Sequence, residues 1–437
     1  MVTRRSGCTR TGHRARHDVL AFVFIVFLSM VCRVTFATDS LHKDRNVPSD
    51  SESSQSVTKA VDWLSAEANK MIRSSRRTMA DGKTAFPPQV GKGYDAFWLR
   101  DYYYMLEGAI GSFSDEQLKD ACRLFVGAVR EDGAAVDCIK FDGTPIYKPG
   151  YGRMGDKPVA DGSPFTVAVA WHTFRRTKDL ALLRSIIDRL ELTMNAMPRN
   201  PRTGLVHIKP GRRQERCPYG FTDTVPKQGD VLFCSLLFVQ AGRQMADLYQ
   251  ALDRPDDSHR WSAEADRVAK AIGKTLWNPQ WSLFRAATVK CNQPDVWGSI
   301  FAVSLGVADD RQSRAIARFL QNHYDKIVRC GQIRHLPRPL YWEGLRYRDR
   351  YQNGGYWATP VGWFVYTLDM VDPALADKTI LDMVNDFRRR GVNEWIYGDQ
   401  TVTPDYIASV ALPVVDIRRM LLRREKKAQN TLNGSVE

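Results

Sequence analysis

Six short stretches of this 437-residue chain combine carboxylates or amides with aromatic rings or glycines. Flat aromatic faces can pack against the C–H side of a pyranose ring, while carboxylates, amides and guanidinium groups hydrogen-bond neighbouring hydroxyls. Two carboxylates facing each other across such a pocket could act as acid and base in glycosidic cleavage. The stretches are 94–101 (YDAFWLRD), 157–164 (KPVADGSP), 221–229 (FTDTVPKQG), 292–298 (NQPDVWG), 351–357 (YQNGGYW) and 393–398 (NEWIYG).

The elements that must position these stretches are helices. Apolar residues recur at helical spacing between 56 and 423, and their windows predict about twelve helices arranged in pairs. The more apolar member of each pair begins near 101, 163, 229, 295, 356 or 403, within, at the end of or shortly after one of the six stretches. Six apolar helices alternating with six amphipathic ones predict an all-α fold, an (α/α)6 toroid with an inner and an outer ring. Short β pieces are expected near 136–148, 203–209 and 332–342, and the six stretches should converge at one face.

Several motifs resemble those of the six-hairpin glycosidases, the superfamily that holds glucoamylases, trehalases and the processing α-glucosidase and mannosylglycerate hydrolase type. They are FWLRDYYYML, DGSPFTVAVAWHTFRRTKD, GFTDTVPKQGDVLFCSLLF, YQNGGYWATPVGWFVYTL and NEWIYG, and the resemblance covers residues 94 to about 423. It implies the same toroid and a glycoside hydrolase that is inverting and exo-acting. It also implies that Asp223 is the general acid and Glu394 the general base.

In the same superfamily a W-x-R-D element binds the sugar at the −1 subsite. The resemblance therefore implies that Arg100 and Asp101 bind hydroxyls and that Trp98 forms a stacking wall. Glu343, in YWEGLRYRD, is an alternative candidate for the base. No metal is predicted, since the sequence contains no H-E-x-x-H motif, and no dinucleotide cofactor, because the glycine pattern at 150–155 lacks a surrounding βαβ unit. The other residues predicted to bind substrate are Asp161, Lys227, Gln352, Asn353, Tyr356, Trp357 and Trp395.

Two other functions are compatible with these residues. The same toroid could carry sugar epimerisation or uronyl elimination, with His, Tyr or Arg transferring protons, or it could bind glycans without catalysis. Lys and Arg exceed Asp and Glu by 14. Because the cations are dispersed over outer helices, a nucleic-acid partner is not expected. An acidic or sulfated carbohydrate is compatible with the cations of the predicted connections. These are Arg153, Lys157, Arg212, Arg213, Arg216, Lys227, Arg346, Arg348 and Arg350.

The N-terminal segment predicts export. A basic stretch precedes an apolar run at 19–31 and the sequence TFA at 35–37, which is typical of a signal peptide covering 1–37. The alternative is an uncleaved anchor, although a run of about 13 residues is shorter than the about 20 that span a bilayer. We expect a secreted, periplasmic or cell-envelope protein with no membrane span after cleavage. A flexible linker at 38–55, a glycosidase-like domain at 56–423 and a flexible tail at 424–437 should follow.

Six cysteines remain after such a cleavage, spread over about 200 residues without a C-x-x-C pair. A zinc site is therefore not expected. One to three disulfides and buried thiols are both compatible with this spacing. Cys122 and Cys234 lie on apolar helix faces, which favours buried thiols at these two positions.

Overall fold

Helices make up most of the fold, and short strands lie in the connections between them. A computed structural model of the chain describes residues 50–91, 93–211, 220 and 222–433. The predicted signal peptide, Cys217 and Arg212, Arg213 and Arg216 lie outside these residues. The helices are α1 (Asp50–Ser75), α2 (Leu99–Ala109), α3 (Asp115–Gly127), α4 (Gly162–Thr177), α5 (Leu180–Asn195), α6 (Leu232–Ala251), α7 (Pro255–Thr275), α8 (Val296–Ser304), α9 (Asp310–Asn322), α10 (Tyr324–Ile327), α11 (Val361–Leu368), α12 (Pro373–Arg390), α13 (Ala408–Ala411) and α14 (Pro413–Asn433).

The helices form two concentric rings. In the inner ring α2 packs on α4, α4 on α6, α6 on α8, α8 on α11 and α11 on α14, and α13 and α14 return to α2. Helices α1, α3, α5, α7, α9 and α12 pack against the outside of this closed ring. The (α/α)6 toroid predicted from the alternation of apolar and amphipathic helices is therefore confirmed.

Burial explains why the two rings differ in composition. Every residue of α8 is buried, as its sequence VWGSIFAVS requires, whereas the outer helix α9 buries only one face, which includes Ile316 and Leu320. Two glycines allow inner helices to approach closely. A Cβ on Gly108 would lie 1.8 Å from the carbonyl oxygen of Ala411, and one on Gly362 would lie 2.6 Å from that of Pro413. Any larger residue would push α2 or α11 away from the last inner helices.

The strands form small antiparallel sheets, and two of these sheets lie at the starts of inner helices. One has the order β3-β4-β5, and the other has the order β10-β11-β12-β13-β14. Trp98 pairs with Cys138 in the first sheet, and Trp357 pairs with Trp395 in the second. The strands are β1 (Arg77–Thr78), β2 (Thr84–Ala85), β3 (Ala96–Trp98), β4 (Cys138–Lys140), β5 (Pro145–Ile146), β6 (His207–Ile208), β7 (Gly229–Asp230), β8 (Trp277–Asn278), β9 (Leu283–Phe284), β10 (Val328–Arg329), β11 (Gln332–Ile333), β12 (Tyr356–Trp357), β13 (Asn393–Tyr397) and β14 (Gln400–Pro404).

Several predicted boundaries differ from the observed ones. The helices expected from 356 and 403 begin only at Val361 and Ala408, because strands β12 and β14 occupy the intervening residues. Aromatic and β-branched residues favour such pairing once a neighbouring strand is available. At the chain ends, α1 begins at Asp50, within the predicted linker, and α14 continues to Asn433, within the predicted tail. The tail residues RREKKAQ have high helix propensity and prolong α14 beyond 423.

Most of the described cysteines are buried thiols. Cys122, Cys138, Cys234 and Cys291 are buried, and Cys330 is partly buried. The buried thiols predicted at Cys122 and Cys234 are confirmed. Within the described ranges, no helix combines the length and the apolar character needed to cross a bilayer.

Candidate active site

A pocket opens at the end of the toroid where inner helices begin. Its walls come from the connections that enter α2, α4, α6, α11 and α13, so five of the six connections contribute to it. The connection that enters α8 contributes no lining residue among those described. The lining residues are Tyr94, Trp98, Arg100, Asp101, Gly150, Met154, Asp223, Tyr351, Gln352, Trp357, Glu394 and Tyr406.

The first wall is built where strand β3 runs directly into helix α2. This junction places Trp98 and Asp101 in the pocket, and both side chains are buried. Within the described part of the chain the indole N–H of Trp98 has no hydrogen-bond acceptor, so it can donate to a ligand hydroxyl. Asp101 accepts a hydrogen bond from the hydroxyl of Tyr406, which fixes the carboxylate at the pocket wall. Burial raises the pKa of Asp101, while the positive charge of Arg100 opposes that rise.

Arg100 is held by two further carboxylates behind this wall. Its Nη1 donates to Oδ2 of Asp161 at 3.0 Å, and its Nη2 lies 3.8 Å from Oδ1 of Asp137. Asp161 also accepts the backbone N–H of Gly220 at 2.8 Å, and Asp137 accepts that of Gly150 at 3.2 Å. Burial raises the pKa of Asp137 to about 8. The guanidinium is thus pre-oriented, and Asp161 contributes by holding Arg100 instead of lining the pocket.

Asp223 lies in the connection that enters α6. The hydroxyl of Tyr351 donates to its Oδ2 at 3.1 Å. Burial raises the pKa of Asp223 to about 6, and the charge of Arg100 is the main opposing cause. Lys227, four residues after Asp223 in the sequence, is turned elsewhere, and its ammonium is buried 5.7 Å from the ring centre of Trp342. Asp223 is therefore a buried carboxyl group that can hold a proton near neutral pH.

Glu394 lies on strand β13, in the connection that leads to α13. Its side chain is buried, and its pKa is raised to about 8. Burial is the largest cause, and the negative charges of Asp101 and Asp223 add to it. Hydrogen bonds from Thr403 and Tyr94 act in the opposite direction by stabilising the carboxylate. The pocket thus contains a second carboxyl group whose protonation depends on its neighbours.

The order of these two pKa values is the reverse of the order expected for an Asp223 acid and a Glu394 base. The reversal arises partly from the charge on Asp223 itself, which raises the pKa of Glu394. When Asp223 is protonated that repulsion disappears, and Glu394 ionises more readily. The carboxyl groups therefore titrate as a set, and a single proton can reside on either one.

The remaining predicted substrate-binding residues fall into two groups. Gln352 and Trp357 line the pocket, and Gln352 Oε1 accepts hydrogen bonds from the backbone N–H and the hydroxyl of Thr224 at 3.0 and 2.9 Å. This contact fastens the connection that carries Asp223 to the one that carries Tyr351. The second group lies behind the lining and supports it, namely Asp161, Lys227, Asn353, Tyr356 and Trp395.

Glu343, the alternative base, lies outside the pocket lining. Its side chain is exposed, and its Oε2 accepts the backbone N–H of Cys291 at 2.9 Å. Glu394 is 4% exposed and faces the pocket. Of the two glutamates, only Glu394 is placed where it could act on a ligand.

Several residues that line the pocket or support its wall were not predicted. Tyr406 follows Asp405 immediately before α13 and repeats the pattern of a carboxylate beside an aromatic residue, which could have identified it. Asp137 interrupts the apolar run 134–139, and a charge in such a run is a signal for a buried functional carboxylate. Gly150 and Met154 belong to the glycine-rich loop that fails as a nucleotide motif, and here that loop forms part of the pocket wall.

Histidines are absent from the described pocket lining. His172 lies beside Glu107 with 3.4 Å between Nε2 and Oε1, His207 pairs with Asp230, and His335 stacks on Trp297. Among the residues described there is also no group of three His, Cys, Asp or Glu side chains that could hold a metal ion. The reactive groups of the described pocket lining are therefore carboxyl, phenol, indole and guanidinium groups.

No protein-family model matches the chain, and no curated protein matches it significantly. Solved structures do match it. A GH63 mannosylglycerate hydrolase from Thermus thermophilus, in complex with glucose, aligns with a TM-score of 0.58 and 16% identity over 80% of this chain and 99% of that one. A rhamnosidase from Klebsiella oxytoca with rhamnose bound gives 0.57 and 17%, over 82% of this chain and 63% of the rhamnosidase.

A third similar structure is the GH78 rhamnosidase of a Bacillus species, with a TM-score of 0.53 and 15% identity over 82% of this chain and 34% of that one. This chain thus matches nearly the whole length of the mannosylglycerate hydrolase but less than two thirds of either rhamnosidase. At such identities the likeness concerns the fold. The chain has the (α/α)6 fold of the six-hairpin glycosidases, and the resemblance predicted from its motifs is confirmed at the level of the fold.

Proposed function

We propose that this protein is an exported glycoside hydrolase that releases a sugar from the non-reducing end of its substrate with inversion. The observation that carries the proposal is the presence of three buried carboxyl groups, those of Asp101, Asp223 and Glu394, in one pocket beside Arg100 and Trp98. A buried carboxylate costs free energy unless it is paired, so three of them beside a single arginine in one pocket indicate a functional site. The glycosidase fold and the signal-like segment at 1–37 support the same assignment.

The roles follow from the chemistry of the pocket. The Asp223 carboxyl, buried and hydrogen-bonded by Tyr351, would protonate the glycosidic oxygen. Glu394 would accept a proton from water as that water attacks the anomeric carbon from the opposite face. Inversion needs room for this water, so the two carboxyl groups should lie about 6.5–9.5 Å apart in the substrate complex. Once Asp223 carries the shared proton, Glu394 is in the ionised form that a base requires.

The floor of the pocket favours a terminal, uncharged sugar. Trp98, Asp101 and Glu394 are buried at the ends of inner elements, so a glycan chain would end there. With Asp223 protonated, Asp101 and Glu394 still place carboxylates beside that position, and the only cation in the described lining, Arg100, is already held by Asp137 and Asp161. A uronate at this position would be repelled. An acidic or sulfated group would be accommodated nearer the mouth, where Arg153 is exposed next to the lining residue Met154.

The proposal is tested with a panel of α-mannosides, α-glucosides and α-L-rhamnosides, together with acidic and sulfated oligosaccharides. Released sugar is measured by reducing ends, and NMR of the first product identifies its anomer. Ultraviolet absorbance of an unsaturated product would reveal elimination instead.

Asp223→Asn and Glu394→Gln should each lower the rate by about 100-fold to 10,000-fold, the usual contribution of general acid or base catalysis. Glu343→Gln is the matched control and should retain activity, because Glu343 is exposed and lies outside the pocket lining. Retained activity in both Asp223→Asn and Glu394→Gln would refute the hydrolase mechanism, and retention of anomeric configuration would refute inversion.

A further inference from the structure

A small lobe stands beside the pocket mouth and has an apolar core of its own. This rim lobe comprises residues 336–350. Leu336 and Trp342 of the lobe are buried against Val225, Ala286 and Cys291, separately from the main core. The rim lobe is thus a packed unit, and its small core supports the side chains on its surface.

Hydrogen bonds join the rim lobe to the pocket wall. Asn353 accepts the backbone N–H of Trp342 at 2.7 Å and donates to the carbonyl of Tyr347 at 2.5 Å. The residues just before Asn353, Tyr351 and Gln352, line the pocket. On its other side the lobe is joined to the 289–293 loop, since Gln293 donates to the carbonyl of Tyr341 at 2.6 Å. The outer surface of the lobe therefore continues into the rim of the pocket.

The rim carries exposed apolar side chains. Tyr347 is 76% exposed, Leu340 41% and the neighbouring Val289 55%, and Met154 of the pocket lining is 39% exposed. These four make up most of the large hydrophobic side chains that are exposed in the described chain. The others, Leu180 and Leu422, lie on helices α5 and α14. Clustering of exposed apolar groups around one opening indicates an interaction surface.

The same surface carries uncompensated positive charge. Both carboxylates of the lobe are engaged, because Glu343 accepts the Cys291 amide and Asp349 pairs with Arg338 at 3.9 Å. Arg346, Arg348 and Arg350 have no carboxylate within ion-pair distance among the described residues. The guanidinium of Arg348 lies 5.0 Å from the ring centre of Tyr341. Lys290 adds a further cation next to Val289.

We propose that the rim lobe and Val289 dock the protein on the surface of an anionic phospholipid membrane. Arginines would pair with lipid phosphates while Tyr347, Leu340 and Val289 insert at the level of the headgroups. A sulfated polysaccharide would use the arginines and could stack on Tyr347, but it would gain nothing from the exposed aliphatic chains of Leu340 and Val289. Docking on this face turns the pocket mouth toward the membrane, which would give the proposed hydrolase access to glycans linked to lipids. Only this last consequence rests on the proposed function.

The test is co-sedimentation of the full chain with phosphatidylcholine vesicles that contain or lack phosphatidylglycerol. We expect preferential binding to the anionic vesicles that weakens as salt is raised, because salt screens charges at the surface. Arg346→Ser combined with Arg348→Ser should weaken binding by about 25-fold, at about fivefold for each arginine. Leu340→Ser combined with Tyr347→Ser should weaken it by about tenfold or more. The matched controls are Leu422→Ser and Arg311→Ser, exposed positions on α14 and α9, and they should bind like the wild type.

Hydrogen–deuterium exchange locates the contact even if the apolar run at 19–31 also binds lipid. Anionic vesicles should slow amide exchange in 338–350 and leave residues around Leu422 unchanged. Unchanged exchange in the lobe, or equal losses of binding in lobe and control variants, would overturn the proposal. Protection of the lobe by soluble dextran sulfate but not by vesicles would overturn it in favour of a polysaccharide. Vesicle binding does not require catalysis, so failure here is separate from failure of the hydrolase assay.

Discussion

Replacement of Glu394 by glutamine should change how the stability of the protein depends on pH. The pKa of Glu394 is raised from an ordinary value of 4.5 to about 8 in the fold, chiefly by burial. A carboxyl group whose pKa is raised by folding favours the folded state below its unfolded pKa. That contribution is lost as pH rises through the folded pKa, because the unfolded chain then ionises freely. Wild-type stability should therefore fall between about pH 4.5 and pH 8.

The size of this effect follows from the pKa difference. At 1.36 kcal/mol per pH unit, the interval from 4.5 to about 8 corresponds to a loss of about 5 kcal/mol. With an unfolding entropy of about 2.1 cal/mol/K per residue, this is roughly 6 °C in Tm for a domain of this size. Glu394→Gln carries no ionisable group at this position, so its stability should not show this pH-dependent loss.

The assay is thermal unfolding of the wild type, Glu394→Gln and Glu343→Gln at a series of pH values from 5 to 8. Between pH 5 and pH 8 only about 3.5 kcal/mol of that loss takes place, so the wild-type Tm should fall by about 4 °C more than that of Glu394→Gln across this range. Glu343→Gln should follow the wild type, because the Glu343 carboxylate is exposed. Parallel curves for the wild type and Glu394→Gln would refute the conclusion that Glu394 is a buried carboxyl group with a raised pKa.

Other predictions concern the neighbours of the acid and the base, and the N-terminus. Asp101→Asn should lower kcat by on the order of 100-fold with a smaller change in KM, because the contacts of the Asp101 carboxylate with substrate hydroxyls should strengthen in the transition state. Unchanged kinetics would reject that role. Since the charge of Asp101 raises the pKa of Glu394, the same variant should move the Glu394 limb of the pH–rate profile to lower pH. Arg100→Met should raise the pKa of Asp223 and extend activity to higher pH, and an unshifted alkaline limb would contradict this. Mass spectrometry of the exported protein should find a chain that begins at Thr38, and a chain that retains Met1 would contradict cleavage.

The fold was largely accessible from the sequence. The helical period and the alternation of apolar with amphipathic helices require an inner ring inside an outer one, since a helix that is apolar all round must be buried. The order of elements along the chain also predicted which connections precede inner helices. The connections that contain Asp101, Asp223 and Glu394 do line one pocket. These features depend on local patterns, which a single sequence records directly.

Only the tertiary structure shows which side chains of those connections reach the pocket. Asn353 and Trp395 have the residue types of a sugar site, yet they support the wall. Asn353 is held by the backbone of Trp342 and Tyr347, and Trp395 packs against the rings of Tyr351 and Tyr397. Asp137 and Tyr406 join the site through contacts with Arg100 and Asp101, from positions distant in the sequence. Glu343 and Glu394 are chemically alike, and burial alone separates them. Burial and the charge of neighbours across the ring also set the pKa of each carboxyl group, and neither is determined before the chain closes on itself.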